Sequence, residues 1–302
     1  MDIRRLQAFS KVFETRSFSK AGKELFLSQP TISSHVALLE EELGVPLFDR
    51  VGRTVLSTQA GEILYSRAQK IFDLLVMAKA EIDLLRHAVS GPIILGGSTI
   101  PADYLLPPLL AAFVAKYPEV RIDLRVGDSA SVIDLVNKGD VMLGMVGSAT
   151  EHPDLHFEPV LVDELILVGA PGVFRGMSSC SMDKLLAFPW IMREAGSGTR
   201  NALERSLRRF SIDISGLRTA IQVQNTQAML GCILAGVGVC VTSRMVVAPY
   251  LHRGELETIP IEGLQMSRDF YIVFHKKREL FPATQKLIAF LTSALRNEPL
   301  KA

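Results

Sequence analysis

Two groups of side chains in this chain have the types and spacing to do chemistry, and in both the chemistry is binding. The first is Ser28-Gln29-Pro30-Thr31-Ile32-Ser33-Ser34-His35. Ser28 stands where a helix N-cap would, and Pro30 falls in the first turn, where a missing N–H leaves no bond unmade. A helix that enters the major groove of DNA presents small polar residues at its N-terminal end. Gln29, Thr31, Ser34 and His35 can exchange hydrogen bonds with base edges or phosphates, while Ile32 and Val36 face a core. Arg50 and Arg53, around a tight turn at Val51-Gly52-Arg53, are placed to reach the DNA backbone or the minor groove. The acidic run Glu40-Glu41-Glu42 would repel phosphate, so the far end of the helix is expected to point away from DNA.

The second group lies in loops that suit an anion. Arg193-Glu194-Ala195-Gly196-Ser197-Gly198-Thr199-Arg200 leads into a helix. Its glycines let the backbone approach a ligand, Ser197 and Thr199 offer hydroxyls, free N–H groups point outward at the helix start, and Arg200 adds formal charge. Gly96-Gly97-Ser98-Thr99-Ile100-Pro101 follows a strand and precedes another helix, and Gly127-Asp128-Ser129 and Gly147-Ser148 also follow strands. Such loops, at the carboxyl ends of parallel strands, are where open α/β sheets bind ligands. Asn225 follows a further strand and could add a side-chain donor. Ser98, Thr99, Ser129, Ser148, Ser197, Gly198, Thr199, Arg200 and Asn225 are therefore the candidate effector contacts, against the plainer reading that these are ordinary caps and turns, where Gly and Ser dominate anyway.

Other reactive residues argue for less. Cys180, Cys232 and Cys240 lack a disulfide framework, and the last two sit among Ile233, Leu234, Val239 and Val241, as buried inert thiols would. The six histidines show no ligand spacing, so neither a metal site nor a cofactor is expected.

The elements that must position these groups fall into three parts. Residues 1–57 read as three helices and a hairpin, with apolar Ile3, Leu6, Phe9, Val12 and Phe13 on the first helix, Ser17 or Ser19 capping the second, and Gly44 ending the third. In residues 58–89, Leu64, Ala68, Ile71, Leu75, Ala78, Ile82, Leu85 and Val89 alternate spacings of four and three. That is a coiled-coil seam roughly 48 Å long, narrower than the stripe of a helix packed on its own domain, and its consequence is a dimer. Residues 90–302 alternate strands (93–95, 120–126, 141–146, 161–168, 217–223, 238–242, 270–275) with helices (102–116, 130–137, 199–210, 227–235, 283–295). This order implies parallel sheets covered by helices, in two small α/β subdomains.

Composition sets outer limits. The 302 residues carry 33 basic and 32 acidic side chains, so a nucleic-acid surface has to come from local charge placement. The first residues hold no uninterrupted apolar stretch of signal-peptide type, and no apolar run reaches membrane-spanning length. With the cysteine usage this points to the cytoplasm. A solute-binding protein would need an export signal. An enzyme would need a nucleophile elbow or phosphate loop, and neither motif occurs. An α/β small-molecule-binding protein or enzyme built on the C-terminal fold is thus the alternative reading.

Residues 1–62 carry a nearly continuous motif: Met1-Asp2-Ile3-Arg4-Arg5-Leu6-Gln7-Ala8-Phe9, Ser17-Phe18-Ser19-Lys20-Ala21, Leu27-Ser28-Gln29-Pro30-Thr31-Ile32-Ser33, Leu43-Gly44-Val45-Pro46-Leu47-Phe48-Asp49-Arg50 and Thr58-Gln59-Ala60-Gly61. This closely resembles the N-terminal signature of LysR-type transcriptional regulators. The resemblance implies a winged helix-turn-helix, a dimerising linker helix, an effector domain like a periplasmic binding protein, and tetramers. It implies that Gln29, Pro30 and Ser33 read bases and that Arg53 serves the wing. Many members carry a basic residue where Ser34 stands. The stretch Glu194-Ala195-Gly196-Ser197-Gly198-Thr199-Arg200 resembles the subset tied to sulfur, selenium or carbon-dioxide metabolism, and implies a sulfur oxyanion in the Ser98-Thr99 and Ser197–Thr199 loops. The apolar Ile100-Pro101 keeps a small organic effector open. Double-stranded DNA, the effector and further copies of the chain are the expected partners, with RNA polymerase a candidate.

Overall fold

The computed structural model describes residues 1–51, 54–84 and 89–297. The chain divides into two compact units, Met1–Ile82 and Asp83–Ala302.

In the first unit, helix α1 (Ile3–Thr15) begins at Asp2, whose carboxylate accepts from the Arg4 N–H, and buries Leu6, Phe9 and Val12 along one face. Helix α2 (Phe18–Leu25) is capped by Ser17 rather than Ser19. Helix α3 (Gln29–Leu43) starts at the Ser28 cap and stops at Gly44, whose φ of 69° only glycine adopts without strain. Strands β1 (Phe48–Val51) and β2 (Thr54–Ser57) pair antiparallel from Phe48↔Ser57 to Val51↔Thr54. Gly52 and Arg53 lie outside the described residues, as does the side chain of Arg50.

Helix α4 (Gln59–Leu84) carries the heptad stripe, but the stripe is shared between two environments. Ala68 is buried in the core of the first unit, and Leu64 and Ile71 pack against that core, as does Tyr65, which stacks on Phe13 at 4.0 Å between centroids. Farther along, Leu74, Leu75 and Ile82 are exposed. The stripe residues of the first half therefore pack on their own domain, whereas Leu75 and Ile82 of the second half present apolar surface, as does Ile63 off the stripe. Leu85 lies outside the described residues, and Val89 packs in the core of the second unit.

The second unit opens with β3 (Gly91–Ser98), which pairs parallel with β4 (Val120–Gly127) and with β5 (Leu143–Val146). A π-helical turn at Pro101–Leu105 and α5 (Leu106–Lys116) replace the single helix expected over 102–116, because Pro107 and Pro108 suit the start of a helix and not its middle. Helix α6 (Ser129–Lys138) returns the chain from β4 to β5. From here the topology departs from an all-parallel sheet. The 15-residue strand β6 (Leu155–Gly169) runs on into a region with α7 (Met182–Ala187), β7 (Trp190–Arg193), α8 (Gly198–Arg208), β8 (Thr219–Val223), α9 (Thr226–Leu234), β9 (Cys240–Ser243), α10 (Arg244–His252) and β10 (Glu257–Ile259). Strand β11 (Met266–His275) comes back antiparallel to both β6 and β5, and α11 (Pro282–Asn297) closes the unit. Strands β9 and β10 also pair antiparallel with β6.

The sheet is mixed, in the order β10-β6-β11-β5-β3-β4, with β7 and β8 forming a separate parallel pair. The expected parallel pairing holds where a helix covers the crossover. It fails where β11 returns directly beside β6, a neighbour that needs no crossover. The result is two α/β halves threaded by β6 and β11. One is packed about Leu95, Phe113 and Leu291, the other about Trp190, Leu203 and Leu207. Among the described residues no helix is long and apolar enough to cross a membrane.

Candidate functional site

The candidate DNA-reading element is built by the α2–α3 turn. The Ser28 hydroxyl accepts from the Thr31 N–H at 3.3 Å and shares a 2.7 Å hydrogen bond with Thr31 Oγ1, which fixes the first turn of α3. Gln29, Pro30 and Ser34 are exposed, and Thr31, Ser33 and His35 are half-buried. Ser19 Oγ donates to Gln29 Oε1 at 3.1 Å and leaves the amide N–H groups of Gln29 as the outward donors. His35 Nδ1 is buried, so that nitrogen is withdrawn from a DNA partner. At the far end, Glu40 Oε1 accepts from the backbone N–H of Leu47 (2.7 Å) and of Phe48 (3.3 Å), tying helix to hairpin. Glu42 pairs with the N-terminal ammonium and with Arg5, which holds its carboxyl below the usual range. Part of the acidic run is thus structural.

In the second unit the carboxyl ends of β3, β4, β5 and β7 and the starts of α6 and α8 converge. Ser98 ends β3, and Thr99 and Ile100 follow it. Asp128 caps α6 by accepting from the Ser131 N–H at 2.6 Å, and the Ser129 hydroxyl accepts from the Gly147 N–H at 3.2 Å. Ser197 caps α8, and the Ala130 N–H donates to the Gly196 carbonyl at 3.2 Å, so the two helix starts are tied together. The contact is close enough to demand glycine: a Cβ on Gly198 would lie 2.6 Å from the Gly147 carbonyl oxygen and 3.0 Å from Ser129 Oγ.

Ser98, Thr99, Ile100, Asp128, Ser129, Arg193, Ser197, Gly198, Thr199 and Arg268 line the resulting cleft, whose free space is about 10 Å³. A second cleft of about 510 Å³ shares Thr99 and Asp128 and is otherwise lined by Val126, Gly127, Glu194, Gln224 and Asn225. Of the effector residues read from sequence, Ser98, Thr99, Ser129, Ser197, Gly198 and Thr199 come together in the small cleft, and Asn225 lines the large one while its Oδ1 caps α9. Ser148 is buried but lines neither cleft, and Arg200 lines neither, its Nη1 donating instead to the Arg193 carbonyl at 2.9 Å.

Two buried arginines were not among the candidate effector contacts read from sequence, although Arg193 opens the segment quoted for the anion loop. Arg193, the last residue of β7, donates through Nη1 to Thr226 Oγ1 (3.0 Å) and through Nε and Nη2 to Glu194 (2.8 and 2.6 Å). The Thr226 and Thr99 hydroxyls meet at 2.8 Å. Arg268 lies on β11 directly opposite Asp163 on β6, and its Nε donates to Asp163 Oδ2 at 2.9 Å. Asp163 Oδ1 accepts from Ser243 Oγ at 2.5 Å. Burial pushes the Asp163 carboxyl up, against the pull of Arg268 and Ser243, and it also disfavours the charge on Arg268. A guanidinium does not give up its proton in a protein, so Arg268 keeps its charge. The guanidinium also lies 4.7 Å from the Phe270 ring centroid. The cleft thus gathers hydroxyls, helix-start N–H groups and guanidinium donors. Cys180 and Cys240 are buried and do not line it, and burial raises both thiols.

Residues 3–62 match the family described as bacterial regulatory helix-turn-helix protein, lysR family, and residues 86–296 match the LysR substrate binding domain. The transcriptional regulator CysL of Bacillus subtilis (strain 168) is 30% identical over 300 residues, covering 98% of each chain. The regulatory domain of CcmR from Synechocystis PCC6803, solved in complex with 2-PG, is 26% identical with a TM-score of 0.62, covering 69% of this chain and 99% of that one. Full-length CbnR, solved with its target DNA, has the same fold at a TM-score of 0.70 and 22% identity, covering 98% of this chain and 99% of that one.

Proposed function

This chain belongs to the LysR family of bacterial helix-turn-helix regulators, and we propose that its second unit senses a small oxyanion, or a metabolite carrying one, and thereby sets how the first unit engages DNA. The observation that carries this reading is the convergence of six hydroxyl- or N–H-bearing residues (Ser98, Thr99, Ser129, Ser197, Gly198 and Thr199) on one buried cleft at the starts of α6 and α8. Helix starts present unpaired N–H groups and a partial positive charge, which select an anion. Support comes also from the bound 2-PG in the CcmR neighbour, and the motif from Glu194 to Arg200 keeps sulfur oxyanions in the set.

DNA contact falls to Gln29, Pro30, Ser33 and Ser34 at the start of α3, with Arg50 and Arg53 in the wing. The chain works as a dimer through the second half of α4, where Leu74, Leu75 and Ile82 face solvent, and dimers pair into tetramers in the cytoplasm. The ligand favours one arrangement of the two α/β halves, and it shifts DNA binding only as far as it binds the two arrangements differently. Thermal shift of the full chain with sulfate, sulfite, selenite, phosphate and phosphoglycolate tests the anion reading. At least one should raise the melting temperature, and Ser98→Ala with Thr199→Ala should abolish the rise while specific DNA binding persists. A ligand-induced rise that survives in the double variant would move the site elsewhere.

A further inference from the structure

We propose that Arg268 is the charged anchor of the effector: an oxyanion in the small cleft takes Nη2 of this guanidinium, while Asp163 holds its other edge. The inference rests on the anion reading above and deepens it by naming the residue that supplies the charge. Four observations carry it. Arg268 lines the cleft together with the hydroxyls of Ser98, Thr99, Ser129, Ser197 and Thr199. It is 6% exposed, yet its Nη2 meets no acceptor among the described residues. A buried donor left unbonded is expensive, so the arrangement is stable only where something supplies an acceptor. Its position is also not free to adapt: Nε is fixed on Asp163 at 2.9 Å, Asp163 is fixed on Ser243, and the guanidinium is held by the Phe270 ring. A donor held in this way offers an incoming oxygen a preset direction. Finally, Arg193, the other guanidinium lining the cleft, is already occupied by Glu194 and Thr226.

The arrangement gives Asp163 a definite part. As the internal carboxylate on the same guanidinium, it lowers the charge that an anion meets, and so it sets affinity downwards as Arg268 sets it upwards. The two residues are cross-strand partners on β6 and β11, the strands that join the two halves. Occupation of Nη2 therefore acts on the joint itself. The shared chemistry is an oxyanion, which can be a free inorganic ion or the terminal group of a small acid whose body fills the 510 Å³ cleft alongside.

The test measures affinity of the full-length protein by calorimetry for inorganic sulfate, inorganic phosphate and phosphoglycolate. A charge-assisted hydrogen bond is at stake, so Arg268→Met should weaken each probe that binds the wild type about tenfold or more. Asp163→Asn should strengthen the same probes several-fold. A purely structural pair predicts the same direction for both variants, so a loss on Asp163→Asn would overturn the assignment. Because removing one partner of a buried pair can unfold a protein, the double variant Asp163→Asn/Arg268→Met is measured alongside. It should fold, bind operator DNA and remain weak for the probes, and wild-type affinity in it would refute the anchor. Tighter binding of phosphoglycolate than of either inorganic ion supports the anchor with the large cleft as the seat of the ligand's body, and equal binding with loss on Arg268→Met supports it with a free oxyanion as ligand. If Ser98→Ala with Thr199→Ala removes binding and Arg268→Met does not, the anchor is wrong and the site is right. If the wild type binds none of the probes, the anion reading falls and the anchor with it.

Discussion

Gly198→Ala is a sharp test of how the cleft is closed. The methyl carbon would sit 2.6 Å from the Gly147 carbonyl oxygen and 3.0 Å from Ser129 Oγ, where ordinary contact begins near 3.4 Å. The first of these is backbone, so relief requires α8 to move away from the end of β5 and the start of α6 by several tenths of an ångström or more. Overpacking of this kind costs about 1–3 kcal/mol. Replacing glycine at the start of a helix returns about 0.5–1 kcal/mol through the unfolded chain. The net destabilisation is centred on about 1 kcal/mol and reaches about 2.5 kcal/mol, or a fall of up to roughly 10 °C in the melting of a unit of this size. The second effect is the more specific one. Moving α8 carries the Ser197 and Thr199 hydroxyls off their places, so the ligand-induced rise in melting temperature should shrink by more than half while binding to a DNA operator in the absence of ligand is kept. Differential scanning calorimetry of the full chain, with and without the best-binding anion, reads both. An unchanged melting temperature together with an unchanged ligand response would refute the claim that this contact shapes the site.

Other expectations follow from the same geometry. Gln29→Ala should reduce discrimination among operator variants by about 1–3 kcal/mol in a binding titration, and Ser19→Ala, which frees the Gln29 amide to rotate, should blunt discrimination with less loss of overall affinity. Leu75→Glu with Ile82→Glu should convert the dimer to monomer in sedimentation without lowering the stability of residues 1–82, whereas Ile71→Glu should lower that stability, because Ile71 packs on the first unit's own core. In the native protein Cys232, which is half-buried, should alkylate before Cys180 and Cys240, whose burial raises both thiols; mass spectrometry after brief iodoacetamide treatment at pH 8 reads the order.

The parts of this fold that were legible from sequence are those fixed by local rules. The cap at Ser28 and the stop at Gly44 need only a side-chain oxygen or a positive φ at one position, and each stands where the residue types put it, while α2 takes Ser17 of the two serines that could cap it. Helix α10 was missed because nine residues containing Pro249 carry little helical signal, and β10 because three residues carry no period. The mixed sheet was not readable, since the choice between parallel and antiparallel neighbours depends on where a distant strand returns. Arg193 and Arg268 were missed for a related reason. Each sits on a buried strand, where an arginine looks like the strand's end: β7 buries Trp190, Ile191, Met192 and Arg193 alike, and the strand read from Phe270 begins four residues earlier, at Met266. The signal that could have found Arg268 is the alternation of Met266, Arg268 and Phe270 on one inward face. A charged residue in that series needs a partner, and Asp163 stands two residues before Leu165 on the facing strand.

The β6–β11 pairing has a mechanical consequence. The chain passes from one half of the second unit to the other along β6 and comes back along β11, and the two strands are hydrogen-bonded through the passage from Met266↔Leu165 to His275↔Leu155. A joint made of two loops swings freely, but a paired ribbon can only be wound or unwound. Turning one half against the other must change the twist of this ribbon, and the register shift between Phe270 and Tyr271 marks where the winding is already irregular, two residues from Arg268. Such a joint behaves as a torsion spring: it resists, stores the strain over several residues, and returns to the same rest angle when the load is removed.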